Sequence, residues 1–170
     1  MMGFIRSYIR IVDAINYRVG RITMYGIFVM MGILLWSSIS KTLPFMLPSL
    51  WTLEMAQFAM VAYYILGGPY SIQLGSNVRM DLFYGNWSDK RKAWFDGFTV
   101  LLLCFYLGVL LYGAIDSTNY AFKYGERNPT AWRPVLWPIK SIMCVGFFLM
   151  LLQAISELFK DIAKIKGEPI

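Results

Sequence analysis

Few residues of this sequence could do chemistry, and the acidic ones at the ends of apolar stretches come first. Glu54 lies near the start of such a stretch, where Thr52 could cap a helix and the helix dipole would favour a carboxylate in the first turn. That carboxylate could contact a neighbouring protein or carry a proton, but its place at a helix end argues against proton transfer at mid-membrane. Asp116 continues a helical stripe from Tyr112, which is typical of a solvated helix end.

A second polar group lies between the second and third apolar stretches. Asn77, Arg79 and Asp81 could order a tight turn through local hydrogen bonds and an ion pair. The same residues would also suit a solvated loop that carries positive charge at a membrane surface. The residues alone leave both interpretations open.

Most catalytic chemistry lacks the residues it needs. The sequence has no histidine, which excludes bis-histidine haem ligation, most zinc sites and histidine-based acid–base catalysis. Cys104 and Cys144 fall inside apolar stretches, where reduced small side chains are expected. No spacing suggests a nucleophile with its base, a metal-ligand set or paired catalytic carboxylates. We therefore predict that the chain is not an enzyme and holds no metal or cofactor.

The segments that position these residues are strongly apolar. Hydrophobic residues make up 58% of the chain and charged residues 15%, so lipid suits this composition better than water. Four runs are long enough to cross a bilayer as α-helices, at about residues 22–40, 51–74, 93–112 and 139–158. The sequence therefore predicts an all-α integral membrane protein, with residues 1–170 forming a single membrane domain of four transmembrane helices.

Residues 4–19 precede the first run and have two different faces. Apolar side chains recur at helical spacing on one face, and the polar residues Arg6, Arg10, Asp13 and Asn16 lie on the other. This pattern predicts an amphipathic helix that lies in the headgroup plane, although it would also suit packing on a partner protein. Gly20 could then let the chain turn into the first span.

The distribution of charge predicts the orientation in the membrane. The net charge of +6 could indicate nucleic acid, but the charges form short clusters between apolar runs, and no nucleic-acid-binding motif occurs. Most of the 16 basic residues lie in the N-terminal segment, the loop between runs two and three, and the C-terminal tail. The positive-inside rule therefore predicts that both termini are cytoplasmic and that residues 113–138 face the exterior.

The middles of the runs bear on function. A transporter that acts alone usually shows polar or broken helices near mid-membrane, whereas runs one, three and four are almost purely apolar in their middles. This composition favours a scaffold over a conduit. Six glycines would allow helices to approach closely, namely Gly26, Gly32, Gly67, Gly68, Gly108 and Gly146.

Several stretches, taken in order along the chain, are similar to one known family. They are Trp-Thr-Leu-Glu at 51–54, the segment Tyr-Ser-Ile-Gln-Leu-Gly-Ser-Asn-Val-Arg-Met-Asp at 70–81, the basic turn at 88–92, and the aromatic and proline-rich segment at 124–140. Together they resemble the small four-helix membrane subunit of tripartite ATP-independent periplasmic (TRAP) transporters. The family commonly has a histidine before Val-Arg-x-Asp, and this sequence has Asn77 there, so it offers no imidazole at that position.

The resemblance implies a secondary transporter of the bacterial inner membrane, built from three parts. A periplasmic solute-binding protein would capture an organic acid or a similar small polar anion. A large multi-span transport subunit would move it, driven by a sodium or proton gradient, and the small subunit would bind and brace the large one. By the same resemblance, Asn77, Arg79 and Asp81 would fix the cytoplasmic turn. The outer face that docks the binding protein would include Glu54, Asp116, Arg127, Trp132 and Arg133.

Two other functions stay open from the sequence. A stand-alone small exporter with four helices would need an acid embedded in the first span, and that span has none. A haem-free membrane anchor of a respiratory enzyme would be compatible with the absence of histidine. Transport by the chain alone would favour the exporter, and a tightly bound oxidoreductase would favour the anchor.

Overall fold

A computed structural model describes residues 2–43, 49–75 and 89–166, and this part of the chain is helical, as predicted. Five helices form it: α1 Met2–Met24, α2 Gly26–Thr42, α3 Thr52–Gln73, α4 Asp89–Tyr124 and α5 Trp137–Lys166. Within the described ranges the only extended pairing is an isolated antiparallel bridge between Arg127 and Val135.

The helices α1 and α2 are almost continuous. They are separated only at Tyr25, where Tyr25 N donates to Ile22 O and Phe28 N donates to Tyr25 O, both at 3.1 Å. These bonds join residues three apart and mark one tight turn inside a long helix. The prediction that the chain turns at Gly20 is wrong. Gly20 lies within α1 and packs against the Tyr70 side chain of α3, where a Cβ atom would collide.

Four helices form an open row in the order α2, α3, α5, α4, and α1 lies against α3 and α5. Thr118 of α4 lies beside Cys144 of α5 at 3.2 Å, and the Phe122 and Trp137 rings stack with centroids 5.1 Å apart. These contacts make α4 and α5 antiparallel. Away from α1, the open row leaves its broad faces uncovered by the described chain, which explains why many large apolar side chains are exposed.

Close packing in the row depends on two glycine contacts. Gly146 of α5 lies against Ile65 of α3, and a Cβ atom at Gly146 would collide with that side chain. Gly68 of α3 faces Met150 of α5 at 3.0–3.5 Å from its ideal Cβ position. The expectation of close helix approach is confirmed there. Within the described chain, Gly32, Gly67 and Gly108 have no neighbour within 4 Å of an added Cβ, so there the expectation stays a prediction about contacts with a partner.

Three helical segments are long and apolar enough to cross a membrane, judged by length and composition in the described part of the chain. They are Ile5–Thr42, Trp94–Tyr124 and Trp137–Ala163. The helix α3 occupies the predicted second span but is not among them, since Glu54, Gln57 and Pro69 lower its hydropathy. The helix α4 continues to Tyr124, well beyond the predicted span end at residue 112.

Candidate docking site at the 125–136 loop

The 125–136 loop connects α4 to α5 and begins with a well-formed helix end. Gly125 has a positive φ of 59°, and Glu126 N donates to Ala121 O at 3.2 Å, which is the bond that closes a Schellman motif. Further along, Asn128 N donates to Pro134 O at 3.0 Å and Leu136 N donates to Glu126 O at 3.1 Å. These bonds pair the two arms of the loop, so its backbone is ordered by its own hydrogen bonds.

Two side-chain contacts fasten the loop to the helices beneath it. Lys140 in the first turn of α5 forms a salt bridge with Glu126 at the start of the loop. Asn128 Nδ2 donates to Oε2 of Glu54 at 3.4 Å. Glu54 is in the first turn of α3, as predicted, and its exposure is only 7%. A buried carboxylate needs a donor, and the loop supplies one.

Hydroxyl groups join α2 to α3 beside the loop. Thr52 Oγ1 lies 3.0 Å from Ser37 Oγ and 3.1 Å from Ser49 O, and the Ser40 and Ser49 hydroxyls lie 3.2 Å apart. The prediction that Thr52 caps α3 is wrong. Trp51 is the N-cap residue and has no side-chain capping bond. Thr52 is the first residue of the helix, and its hydroxyl bonds to Ser37 of α2.

The structure brings together three of the five residues predicted to dock a partner. Arg127, Trp132 and Arg133 are all exposed on the 125–136 loop. Glu54 lies beneath the loop and touches it through Asn128, so it supports the loop from below. Asp116 is exposed on α4, eight residues before that helix ends, and is separate from the loop.

Arg133 has an unusual backbone conformation. Its φ is 51°, in the left-handed region, and the next residue is Pro134. A positive φ is disfavoured for a residue with a Cβ atom, so this position stores strain, on the order of 1–3 kcal/mol. The paired loop backbone maintains that conformation and keeps the Arg133 side chain beside Trp132 at the edge of an apolar groove of about 620 Å³ between α2, α3 and α5.

Residues 30–164 match the family described as tripartite ATP-independent periplasmic transporters, DctQ component. This chain belongs to the DctQ family. The match confirms the resemblance to the small membrane subunit of TRAP transporters. It covers α3, α4 and the 125–136 loop of this DctQ chain in full, and all of α5 except its last two residues. The family is a transporter component and not an enzyme family. No curated protein matches the sequence.

A second polar cluster of this DctQ chain lies at the other end of the row, and the sequence analysis missed it. Helical spacing predicts Asn16 on the polar face of the first helix, but its exposure is 1% and its Nδ2 donates to Oε1 of Gln153 at 2.6 Å. Asp13, one helical turn earlier, pairs with Lys160 at 2.8 Å. A signal was present in the sequence, since α5 carries a polar stripe at helical spacing that comprises Gln153, Ser156, Glu157 and Lys160.

The remaining predictions concern the cytoplasmic turn and metal binding. Asn77, Arg79 and Asp81, the predicted cytoplasmic turn, lie outside the described residues. In the described ranges of this DctQ chain, no group of three or more histidine, cysteine, aspartate or glutamate residues could hold a metal ion.

Proposed function

We propose that this small TRAP subunit braces the large transport subunit in the cytoplasmic membrane and presents the 125–136 loop to the solute-binding protein. In this proposal both termini are cytoplasmic and the loop faces the periplasm. The basic residues at the N-terminus, between the second and third runs, and in the tail support this orientation through the positive-inside rule.

The observation that carries the docking proposal is the rigidity of a loop that displays exposed charge. Arg127 and Arg133 lie on opposite arms of a backbone-paired loop, with the partly exposed Trp132 between them. Arginine and tryptophan are enriched among the residues that dominate binding at protein interfaces. Because the loop is fastened to α3 and α5, docking would cost little conformational entropy.

Charge reversal tests the docking proposal directly. The variants Arg127→Glu and Arg133→Glu are assayed for uptake while the solute-binding protein is titrated. We expect the double variant to need about tenfold more binding protein for half-maximal uptake, which corresponds to roughly 1.4 kcal/mol. Lys41→Glu, an exposed position at the end of α2 and outside the loop, is the control and should leave the titration unchanged. Identical titration curves for the double variant and the wild type would reject docking at this loop.

The open row of helices supports the brace role. A closed four-helix bundle would bury most of its apolar surface internally, whereas this row leaves broad apolar surface away from α1 for lipid and a membrane partner. We expect the full chain to co-purify in detergent with a large multi-span subunit. A chain that purifies without such a subunit from cells expressing both would contradict the brace role.

The proposed solute class rests on the resemblance to the family. We propose an organic acid or a similar small polar anion, captured by the binding protein and delivered to the large subunit. Uptake assays with labelled organic acids and with an uncharged sugar test the class. Uptake of the sugar in place of every acid tried would overturn it.

A further inference from the structure

Helix α1 has one packed side and one exposed side. The buried residues recur every three or four positions and face α3 and α5, and they are Ile9, Val12, Asn16 and Gly20. The exposed side carries two adjacent stripes. The basic stripe covers about 80° around the helix axis at 3.6 residues per turn and comprises Arg10, Arg18 and Arg21. The apolar stripe covers roughly the next 60° and comprises Ile11, Ile15 and Ile22.

The basic stripe has no acidic residue of its own helix beside it. Asp13 is the only acidic residue of α1, and it lies on the packed side, where it pairs with Lys160 of α5 at 2.8 Å. Arg21 contacts a neutral side chain, since its guanidinium lies 5.7 Å from the centroid of the Tyr17 ring and donates to the Tyr17 hydroxyl at 3.4 Å. The stripe therefore presents positive charge outward from the helix.

Helix α3 shows where the basic stripe lies relative to a bilayer. The first turn of α3 meets the 125–136 loop, and at its other end Gln73 Nε2 donates to the main-chain oxygen of Asp13 at 3.2 Å. A helix of 22 residues is about 33 Å long, close to the roughly 30 Å of the hydrocarbon core of a bilayer. Asp13 therefore lies at the headgroup level on the membrane side opposite the loop. Arg10 and Arg18 lie within two helical turns of it.

The apolar stripe continues the surface of the first span. Helices α1 and α2 are almost continuous, and Ile22 is 74% exposed, as are the following Phe28 and Val29 of α2 at 62% and 61%. A surface of this kind suits acyl chains better than water or a soluble protein. Arg21 lies about one helical turn nearer the membrane centre than Arg18, and a long arginine side chain can reach the headgroups from that depth.

Charge and position together select an anionic lipid headgroup as the partner of the basic stripe. A guanidinium binds phosphate oxygens through paired N–H donors. A zwitterionic phospholipid carries its own cation beside the phosphate, so arginines without a nearby acid favour a lipid with net negative charge. The isoleucines of the adjacent stripe would then lie against the acyl chains of the same lipids.

We propose that the basic stripe of α1 binds the headgroups of anionic phospholipids on the membrane side opposite the 125–136 loop. Helix α1 is then held from two sides, by α3 and α5 on its packed side and by lipid on its exposed side. Only the assignment of that leaflet to the cytoplasmic side rests on the proposed function, and the binding itself does not.

The test measures lipid binding to the full-length chain, purified alone in an uncharged detergent. Phosphatidylglycerol or phosphatidylcholine with the same acyl chains is titrated, and native mass spectrometry counts the lipids bound. Each basic residue near an anionic surface contributes roughly a fivefold gain in lipid affinity. We therefore expect the wild type to bind phosphatidylglycerol at least about tenfold more tightly than phosphatidylcholine. Arg10→Gln combined with Arg18→Gln should reduce that preference about fivefold or more.

Matched variants separate the basic stripe from charge in general. Lys41→Gln combined with Lys123→Gln removes the same charge from exposed positions at the other end of the row and should keep the wild-type preference. Arg10→Lys combined with Arg18→Lys keeps the charge and should retain most of the preference.

Three results would overturn the proposal. They are equal affinity of the wild type for the two lipids, equal losses in the two glutamine pairs, and an arginine-to-glutamine pair that keeps its lipid preference but no longer co-purifies with the large subunit. The last result would assign the basic stripe to a protein partner. Because the chain is assayed for lipid binding alone, a failure of the proposed transport function would leave the first two comparisons unaffected.

Discussion

The side-chain nitrogen of Asn128 lies 3.4 Å from Oε2 of Glu54, so a buried carboxylate in the first turn of α3 holds the middle of the 125–136 loop. This contact joins a helix of the membrane row to the loop. The same helix that packs in the membrane row also supports the surface proposed to meet the solute-binding protein. Substitutions at Glu54 should therefore affect docking indirectly, through the loop, even though Glu54 itself makes no contact with the binding protein.

Removing the donor at position 128 should weaken the loop. Asn128→Ala leaves the Glu54 carboxylate buried without that hydrogen bond, which should cost about 1–3 kcal/mol in the free energy of unfolding. It should also raise the binding-protein concentration needed for half-maximal uptake. Asn119→Ala, at an exposed position on α4, is the control, and unfolding in detergent is the measurement. Equal effects of the two substitutions would show that Asn128 does not support Glu54.

The Glu126–Lys140 salt bridge should contribute modestly, because both side chains are partly exposed at 33% and 20%. A double-mutant cycle with Glu126→Gln and Lys140→Met should give a coupling energy of about 0.2–1 kcal/mol that falls with added salt. A coupling near zero at low salt would mean that the backbone pairing alone holds this side of the loop.

Close packing between α3 and α5 should make Gly146 intolerant of any side chain. Gly146→Ala places a methyl group against Ile65 and should destabilise the chain by about 1–3 kcal/mol. Gly32→Ala fills open space on α2 and should be neutral or stabilising by up to about 1 kcal/mol. Thermal unfolding of both variants checks the contrast, and a neutral Gly146→Ala would place α3 and α5 further apart than the structure does.

The bond between Asn16 and Gln153 should couple the first helix to the row. A double-mutant cycle with Asn16→Leu and Gln153→Leu should give a coupling energy of about 0.5–2 kcal/mol, the range of interhelical hydrogen bonds in membranes. Ile11→Ala, on the exposed face of α1, is the control for loss of helix packing. Additive effects of the two leucine substitutions would contradict a direct contact.

The helices could be predicted from sequence because an apolar backbone in lipid must satisfy its own hydrogen bonds. The runs at 51–74 and 139–158 correspond to α3 and the centre of α5. Their ends were less predictable, since amphipathic stretches extend α4 to Tyr124 and α5 to Lys166 beyond the apolar core. Hydropathy measures the apolar centre of a helix and not the place where its hydrogen bonds end.

The contacts between helices could not be predicted in the same way. Helical spacing placed Asn16 on a polar face, but that spacing cannot show whether the face meets water or a glutamine 137 residues away. The exposed residues Arg127, Trp132 and Arg133 could be selected because the segment at 124–140 resembles the last loop of the family. Glu54, Glu126 and Lys140 support the loop only because three helices pack together in a particular way. A single sequence does not contain that packing.

Uptake into proteoliposomes tests the central claim most directly. Vesicles that contain the large subunit, with or without this chain, are supplied externally with the binding protein and the labelled organic acid that it captures. We predict gradient-driven uptake only when this chain is present. When the chain carries Arg127→Glu and Arg133→Glu, half-maximal uptake should need a higher concentration of binding protein. Equal uptake by vesicles that lack the chain would contradict its role as a required small subunit.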